Sequence, residues 1–357
     1  MIVLVAARFV QGLGGGAIAP IAYLAIGRAY PPSVQPRVFA ILSSAWVLPG
    51  LIGPAIAGAV GDHASWRFVF LGLLPLVVPA GLVTLRPLMR IPPHHDENRV
   101  PARLTDAVAL AAGTGLVLAG ASVHVIYATV PLALAGGSLA IPAFVRLVPR
   151  GTVRCAAGLP AAIALRGLLM FAFFGTEAYV PLALTEVRHT SSTIAGLALT
   201  TATLFWTAGA WVQERTIARW GPRTLGRAGF GCLVLGIVGS ALSLSSTVPI
   251  AVFAGMWGIA GLGVGLMYSP ITLTVLASAP RGQEGAASAA LELTGVLGVA
   301  LGTGIGGALV ALAASLNWSE RGGILSVDLA TVTVALVAWV ATTRLPRGVP
   351  GSDVSAV

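Results

Sequence analysis

The sequence contains no lysine, and charged residues of any kind occupy only 9% of its 357 positions. A soluble domain carries about 25% charged residues, so the composition excludes an ordinary soluble fold. The hydrophobic share is 56% and the mean hydropathy is +0.91, which places most of the chain in lipid. The formal net charge of +9 comes without any long basic segment, so we expect no nucleic-acid partner.

Other absences exclude several kinds of site. The two cysteines, Cys155 and Cys232, lack the spacing of metal ligands. The run His94-His95-Asp96-Glu97 lies in a linker with proline and arginine and no further ligand nearby, which favours a solvated loop over a metal site. No Gly-Lys-Ser or Gly-Lys-Thr phosphate loop occurs, and no cluster of catalytic side chains stands at a membrane interface. We therefore expect no metal, no cofactor, no ATP-driven pump and no enzyme.

Long apolar runs dominate what is present. A membrane-spanning helix needs about 20 apolar residues, and the sequence predicts about eleven such helices joined by short connections. The predicted fold class is an all-α polytopic membrane protein, built as a helical bundle. The predicted spans lie near residues 2–27, 39–60, 66–86, 104–122, 129–148, 161–185, 193–213, 226–245, 249–277, 286–314 and 322–344.

The arginines predict how the spans are oriented. Most of them fall on alternate connections, whereas the opposite side carries only Arg67, Arg188 and Arg321. By the positive-inside rule the arginine-rich side faces the cytoplasm, which places the C-terminus inside and Met1 outside. An outside start without a signal peptide favours a chain whose beginning is missing.

Two apolar runs share a glycine spacing. They read Arg8-Phe-Val-Gln11-Gly12-Leu-Gly14 and Trp257-Gly-Ile-Ala-Gly261-Leu-Gly263. Small residues at such intervals let membrane helices approach closely, and a repeat in two halves of a membrane protein is typical of secondary transporters. A tryptophan stands in the second run where the first has Arg8, so we expect the charge to have a task that only one half of the protein performs.

The next two predicted spans add two ordered motifs. They read Pro49-Gly50-Leu-Ile-Gly53-Pro54-Ala-Ile-Ala57-Gly58 and Trp66-Arg67-Phe-Val-Phe70. In this order, after the Arg8 motif, they resemble the major facilitator superfamily of secondary transporters, and most closely its fourteen-helix drug:proton antiporter branch. The match to the antiporter signature of the fifth family helix rests on Gly50, Gly53, Pro54 and Gly58, while Pro49 and Ala57 depart from it.

The resemblance implies a domain organisation. Residues 2–27 match the family's fourth helix, so the first three family helices are expected to be absent and the N-terminal half incomplete. The chain then divides into the remaining three spans of the N-terminal half (1–86), a cytoplasmic linker with two extra linking spans (87–160), the six-helix C-terminal half (161–345) and a cytoplasmic tail (346–357). A degenerate copy of the family's cytoplasmic gating loop is expected at Gly209, Glu214, Arg215, Gly221 and Arg223.

Charges inside the spans are the candidates for coupling, because a charge at the bilayer centre costs about 2.5–3.5 kcal/mol on insertion scales. For Arg8, the resemblance implies a cavity-facing arginine that serves proton coupling. The alternative is a hydrogen-bonding group that holds neighbouring helices. Glu177 is the best carboxylate, because burial favours its proton-bound form and a change of exposure would release the proton. The alternative there is a fixed polar contact.

The remaining polar and aromatic residues of the spans have more ordinary expectations. Glu292 suits a cavity role and a packing role equally. Asp106 and Asp328 are expected to be solvated near helix ends or to extend to the interface, and Arg166 to extend its side chain to the interface. Four aromatic residues could line a cavity for apolar cations, although interface anchoring is the more ordinary role of tryptophan. These residues are Trp206, Trp211, Trp257 and Tyr179.

The resemblance implies a monomeric, multi-pass transporter of the bacterial plasma membrane. It would export amphipathic or drug-like molecules by proton antiport through alternating access. Its partners would be a small-molecule substrate, protons and the lipid bilayer. Two alternatives stay open: an exporter of lipid or sugar derivatives, and a truncated remnant or a chain with a misassigned start that has no transport activity.

Overall fold

The computed structural model describes residues 2–29, 35–89, 100–123, 126–280 and 283–348. Throughout these ranges the long elements are α-helices, and they contain no strand. The helices are α1 (Ile2–Ala29), α2 (Gln35–His63), α3 (Trp66–Leu71), α4 (Leu74–Met89), α5 (Val100–Ser122), α6 (Ile126–Leu147), α7 (Leu159–Glu177), α8 (Val180–Leu182), α9 (Ser192–Leu242), α10 (Ile250–Ser278), α11 (Glu284–Ser315) and α12 (Glu320–Ala341).

Long helices occupy the positions of the predicted spans. Eight helical stretches of the described ranges are long and apolar enough to cross a membrane. One of them, α9, has 51 residues and joins two predicted spans, because the chain bends sharply at Gly221 (φ 69°, ψ 166°) without a separate loop. Glycine adopts this left-handed conformation without strain, and Pro222 then begins the second straight part. The all-α membrane fold is confirmed.

Helix ends follow local signals. Ser65, Ser191 and Ser319 accept hydrogen bonds from the first turns of α3, α9 and α12, as helix-capping serines do. The regular helix α7 ends at Glu177, and the short α8 and a π-helical turn (Ala183–Val187) follow it. This interruption sets Glu177 at an irregular point of its span.

The buried core lies among α7, α9, α10, α11 and α12. Its largest buried side chains include Trp257, Phe173 and Phe230. Small residues bring the helices together: a Cβ atom on Gly261 or on Gly265 of α10 would collide with a backbone carbonyl of α9. Without a strong hydrophobic drive in lipid, such close packing is what holds membrane helices together.

The helices α5 and α6 form a pair of their own. Gly113 of α5 and Gly136 of α6 face each other, and a Cβ atom on either would lie 2.5–2.6 Å from the other's carbonyl oxygen. At one end Arg146 pairs with Asp106 at 3.1 Å. The pair then contacts the core helices through α5 and α11.

Several residues of the sequence analysis lie outside the described ranges. They are Met1, His94, His95, Asp96, Glu97 and the tail from residue 349.

Candidate functional site

The helices α2 and α9 cross where glycine replaces a side chain on each. Gly58 is buried, and a Cβ atom there would meet the backbone carbonyl of Ser192. In the same way, a Cβ atom on Gly196 would meet the carbonyl of Pro54. The two backbones therefore touch directly, and any side chain added at either glycine would push the helices apart.

The other glycines of the antiporter-type motif have more room. The Cβ position of Gly50 lies 3.3 Å from Cγ2 of Thr203, which is a tight but adjustable contact. Gly53 meets nothing within 4 Å in the described part of the chain. Gly58 is thus the motif glycine that the α2–α9 crossing requires.

Asp62 ties the ends of the same two helices. Its carboxylate accepts hydrogen bonds from the backbone N–H groups of Ser192 (2.9 Å) and Thr193 (2.8 Å) and from the Thr193 hydroxyl (2.5 Å). The first N–H groups of a helix have no partner within that helix. Asp62 of α2 supplies one for α9 and so caps it from a neighbouring helix. We call Pro54, Gly58 and Asp62 with Ser192, Thr193 and Gly196 the α2–α9 contact.

The cap keeps Asp62 ionised. The hydroxyl of Thr193, followed by the backbone N–H groups of Thr193 and Ser192, lowers the pKa of Asp62 from 3.8 to about 2. Because the pKa is lowered when the cap is made, the cap is complete above pH 3.8 and is lost as the pH falls towards about 2. From about pH 5 to 8 its charge does not change. Asp62 is therefore a fixed contact and not a group that exchanges a proton in this range.

A cysteine pair can report the α2–α9 contact. The Cβ position of Gly61 lies 3.9 Å from the Cβ atom of Ser192, within the ~3.5–4.5 Å that a disulfide needs. In a Gly61→Cys/Ser192→Cys protein whose native cysteines are replaced by serine, we expect Asp62→Asn to slow cross-linking about fivefold, a typical effect of losing a helix cap. Non-reducing gel electrophoresis measures the rate.

The matched control is His63→Gln, since the His63 ring contacts only the Ala59 carbonyl of its own helix among the contacts that the structure gives it. Equal rates for Asp62→Asn and the parent pair would show that the cap does not hold the two helices together. The parent rate, corrected for thiol ionisation, should also stay flat from about pH 5 to 8.

Arg166 lies deep inside the core. Its side chain is only 2% exposed, so the expectation that it extends to the interface is wrong. The guanidinium carbon lies 3.5 Å from the ring centroid of Tyr268, and Nη2 donates to the Thr272 hydroxyl at 3.0 Å. Glu292 approaches Nη2 to 3.8 Å. An aromatic ring, a hydroxyl and a carboxylate thus replace the water that this charge would otherwise seek.

Glu292 is the exposed partner of this buried cation. Its side chain is 58% exposed although it faces Arg166. A carboxylate in this position can be reached by a proton or a cationic group while it stays paired on one side. A cavity role and a packing role for Glu292 both stay predictions.

An aromatic row leads from the core to Arg166. Phe173 stacks on Trp257 with 5.1 Å between ring centroids, and Trp206 packs edge-on against Phe173 at 5.7 Å. Trp206 also contacts Tyr268 at 5.6 Å. Trp257 is fully buried, so it packs the core and lines no open cavity. Of the remaining aromatic candidates, Trp211 is exposed, and the Tyr179 hydroxyl donates to the Thr303 carbonyl at 2.6 Å.

Glu177 is half-buried at the last residue of α7. Within the described ranges its carboxylate has neither a hydrogen bond nor an ion pair, in contrast to Glu292. The alternative of a fixed polar contact therefore finds no partner in that part of the chain. A proton role for Glu177 stays a prediction.

The Arg8 motif lies on an exposed stretch of α1. The Arg8 guanidinium donates to Gln11 at 2.9 Å and lies 5.6 Å from the Phe70 ring of α3. Gly12 and Gly14 meet nothing within 4 Å among the described residues. Whether these glycines pack against another helix and whether Arg8 couples protons therefore stay predictions.

The gating-type motif straddles the bend of α9. Gly209 packs against Leu262 of α10 inside the helix, and Glu214 and Arg215 lie on its exposed surface. At the bend, a Cβ atom on Gly221 would collide with the carbonyl of Arg347. Two nitrogens of Arg223 donate to the Leu345 carbonyl, at 2.8 and 2.6 Å. Through Gly221 and Arg223, the motif therefore contacts the segment that follows α12. The motif itself is helical up to the bend at Gly221.

Sequence reasoning missed two acidic residues. Asp62 was not considered, because nothing local in the sequence links it to the start of α9. Asp328 was expected to be solvated, and this is wrong: it is only 7% exposed. No group of three or more His, Cys, Asp or Glu side chains that could hold a metal occurs in the ranges that the structure covers.

Comparisons with known proteins agree with this fold. A sequence model of the Major Facilitator Superfamily matches residues 1–303. The uncharacterized transporter YebQ of Escherichia coli (strain K12) is 29% identical over 358 residues, covering 96% of this chain and 75% of YebQ. A probable multidrug-efflux transporter of Mycobacterium tuberculosis is 24% identical over 372 residues, covering 98% of this chain and 77% of that protein.

A solved structure shares the fold. It is a bacterial homologue of the human lysosomal transporter Spinster in an inward-facing and occupied conformation, with a TM-score of 0.52 and 15% identity. The match covers 91% of this chain and 72% of the other.

Proposed function

The chain belongs to the major facilitator superfamily, and on this premise we propose that it exports small amphipathic or drug-like molecules in exchange for protons. It is a multi-pass membrane protein of a transporter family, and one of its relatives is a probable multidrug-efflux transporter. Exchange needs two helical bodies that part and rejoin around a central site. It also needs a carboxyl group that carries the proton.

The α2–α9 contact is the observation that carries the proposal. In the division implied by the resemblance, α2 belongs to the N-terminal half and α9 to the C-terminal half. The contact consists of glycines, backbone groups, the Thr193 hydroxyl and one exposed carboxylate. It can therefore separate without leaving a buried charge unpaired, as a contact that opens in every transport cycle must.

The arginines orient this contact. By the positive-inside rule we place the arginine-rich end, which includes Arg146, Arg223 and Arg227, in the cytoplasm of a bacterium, together with the C-terminus. Asp62 then lies outside. In this arrangement the α2–α9 contact closes the outer end of the transport path, and the described conformation is closed to the outside.

We propose that two carboxyl groups take part in the exchange. Glu177 stands half-buried at the break after α7, and Glu292 joins Arg166 to open space. We assign proton binding to Glu177 and give Glu292 the role of drawing a cationic group towards the aromatic row. Arg8 would adjust the charge of the path in the N-terminal half.

The separate α5–α6 pair supports the fourteen-helix branch. Two linking helices between the halves should pack on each other and lie beside the main bundle, as α5 and α6 do. We propose that residues 87–160 are this linking region. We also propose that the protein works as a monomer.

Transport by everted membrane vesicles tests the function. A fluorescent amphipathic cation should accumulate in acid-inside vesicles that contain the chain. One-for-one exchange gives about a tenfold ratio per pH unit, since a tenfold ratio corresponds to ~1.4 kcal/mol. Vesicles without the chain are the control, and an ionophore that exchanges potassium for protons should abolish the uptake. Uptake that ignores the pH gradient would reject proton antiport, and no uptake of any tested compound would favour the inactive-chain alternative.

A further inference from the structure

Asp328 lies in a small cavity inside the C-terminal helices. It stands about 12 Å along α12 from Glu320, at 1.5 Å per residue, and it is 7% exposed. The cavity has a volume of about 10 Å³, which is room for about one water molecule. The wall includes Thr176, Tyr179, Val180, Ser240, Phe253 and Ile324.

The hydroxyl groups of this wall are committed elsewhere. The Thr176 hydroxyl bonds at 2.8 Å to that of Thr331, which lies behind the wall on α12 and also reaches backbone carbonyls of its own helix. Ser240 donates to the Ile237 carbonyl, and Tyr179 to the Thr303 carbonyl. In the ranges that the structure describes, the Asp328 carboxyl has no hydrogen bond and no ion pair.

No charged side chain of the wall can neutralise a carboxylate here. Tyr179 is the one titratable side chain among the residues that wall the cavity with Asp328. Glu177 follows Thr176 on α7 and would add a like charge. Arg188, directly after the neighbouring π-helical turn, donates to the carbonyls of Ser243, Ser245 and Val248. A lone carboxylate in such a place is costly, and buried groups of this kind take up a proton instead.

We propose that Asp328 is a proton-binding site of the C-terminal half, occupied by a proton in this conformation. When the helices around the cavity separate and water enters, the carboxyl releases its proton to water and becomes a carboxylate. Proton occupancy follows from the burial of Asp328 and from the lack of a partner for its carboxyl in the described ranges, without any assumption about transport. Its use in coupling rests on the proposed antiport and would make Asp328 a second proton carrier beside Glu177.

Infrared spectroscopy of the full chain in lipid tests the site without any transport. A protonated carboxyl gives a distinct C=O stretching band that shifts in heavy water. We expect Asp328→Asn to remove one such band at neutral pH. The control Asp106→Asn should remove none, because Asp106 pairs with Arg146. Identical spectra for the wild type and Asp328→Asn would overturn the proposal.

Labelling of the wild type decides the matter if Asp328→Asn does not fold. Dicyclohexylcarbodiimide is an apolar reagent that modifies protonated carboxyl groups in membranes. Mass spectrometry should find it on the peptide that contains Asp328, with less label as the pH rises. Absence of label on Asp328 at all pH values would overturn the proposal.

The transport assay separates this proposal from the proposed function. An infrared band assigned to Asp328 in a chain that transports nothing keeps the proton site and rejects the antiport. In an active chain, Asp328→Asn should shift the pH at which uptake is half-maximal. The Glu186→Gln variant, which changes an exposed carboxyl of the neighbouring turn, should leave that pH unchanged.

Discussion

Replacing Glu177 by glutamine is expected to abolish accumulation driven by a pH gradient while the protein still inserts into the membrane. Glutamine has nearly the same size and polarity as the protonated side chain, so packing at the end of α7 is preserved. It cannot bind and release a proton, so exchange loses one of its two partners. Where the wild type reaches about a tenfold ratio per pH unit, Glu177→Gln should reach a ratio of about one in everted vesicles.

Two further variants make this result specific. Glu186→Gln makes the same chemical change in the turn that follows α8, but at an exposed carboxyl, and should transport like the wild type. Glu292→Gln should weaken binding of cationic substrates, because it removes the negative charge beside Arg166, and it should retain the response to the gradient. Wild-type accumulation by Glu177→Gln would remove Glu177 from the mechanism. Loss of the gradient response in Glu292→Gln but not in Glu177→Gln would show that Glu292, and not Glu177, binds the proton.

Hydropathy predicts the helices of this chain but not the faces that pack. Each span is apolar on all sides, so no period marks the side that meets a neighbour. Depth along the helix can be counted from the sequence, and this is why Arg166 and Asp328 were expected near water. Both are buried, because neighbouring helices cover them at a depth where an outward-facing side chain would have reached the interface. Burial here is a property of helix packing, which a single span does not encode.

The glycine repeat shows the same limit. Gly12 of α1 and Gly261 of α10 occupy equivalent places in the two runs. A Cβ atom on Gly261 would collide with the Ala202 carbonyl, whereas Gly12 meets nothing among the described residues. The spacing therefore predicts a helix surface that can be approached closely, and the neighbour that uses it has to come from the fold. Asp62 is the extreme case, since its partners are about 130 residues away and have no counterpart motif.

Gly58→Val should break the α2–α9 contact and stop transport. The added side chain would meet the Ser192 backbone, which cannot move without shifting the start of α9 and the cap made by Asp62. Overpacking of this kind costs about 1–3 kcal/mol, which corresponds to roughly a five- to 150-fold loss of the closed population. In the Gly61→Cys/Ser192→Cys protein, cross-linking should slow by a factor in that range.

The motif supplies its own control. Gly53→Val adds the same side chain five residues earlier in the same helix, where its Cβ atom would meet no other helix within 4 Å in the described part of the chain, so cross-linking should stay near the parent rate. The reciprocal change, Gly196→Val, would meet the Pro54 carbonyl and should reproduce the effect of Gly58→Val from the other side. If Gly58→Val cross-links as fast as Gly53→Val, the two backbones are not in contact there. Because alternating access needs the outer end both closed and open, a variant that cannot close it should lose transport even with Glu177 and Glu292 intact.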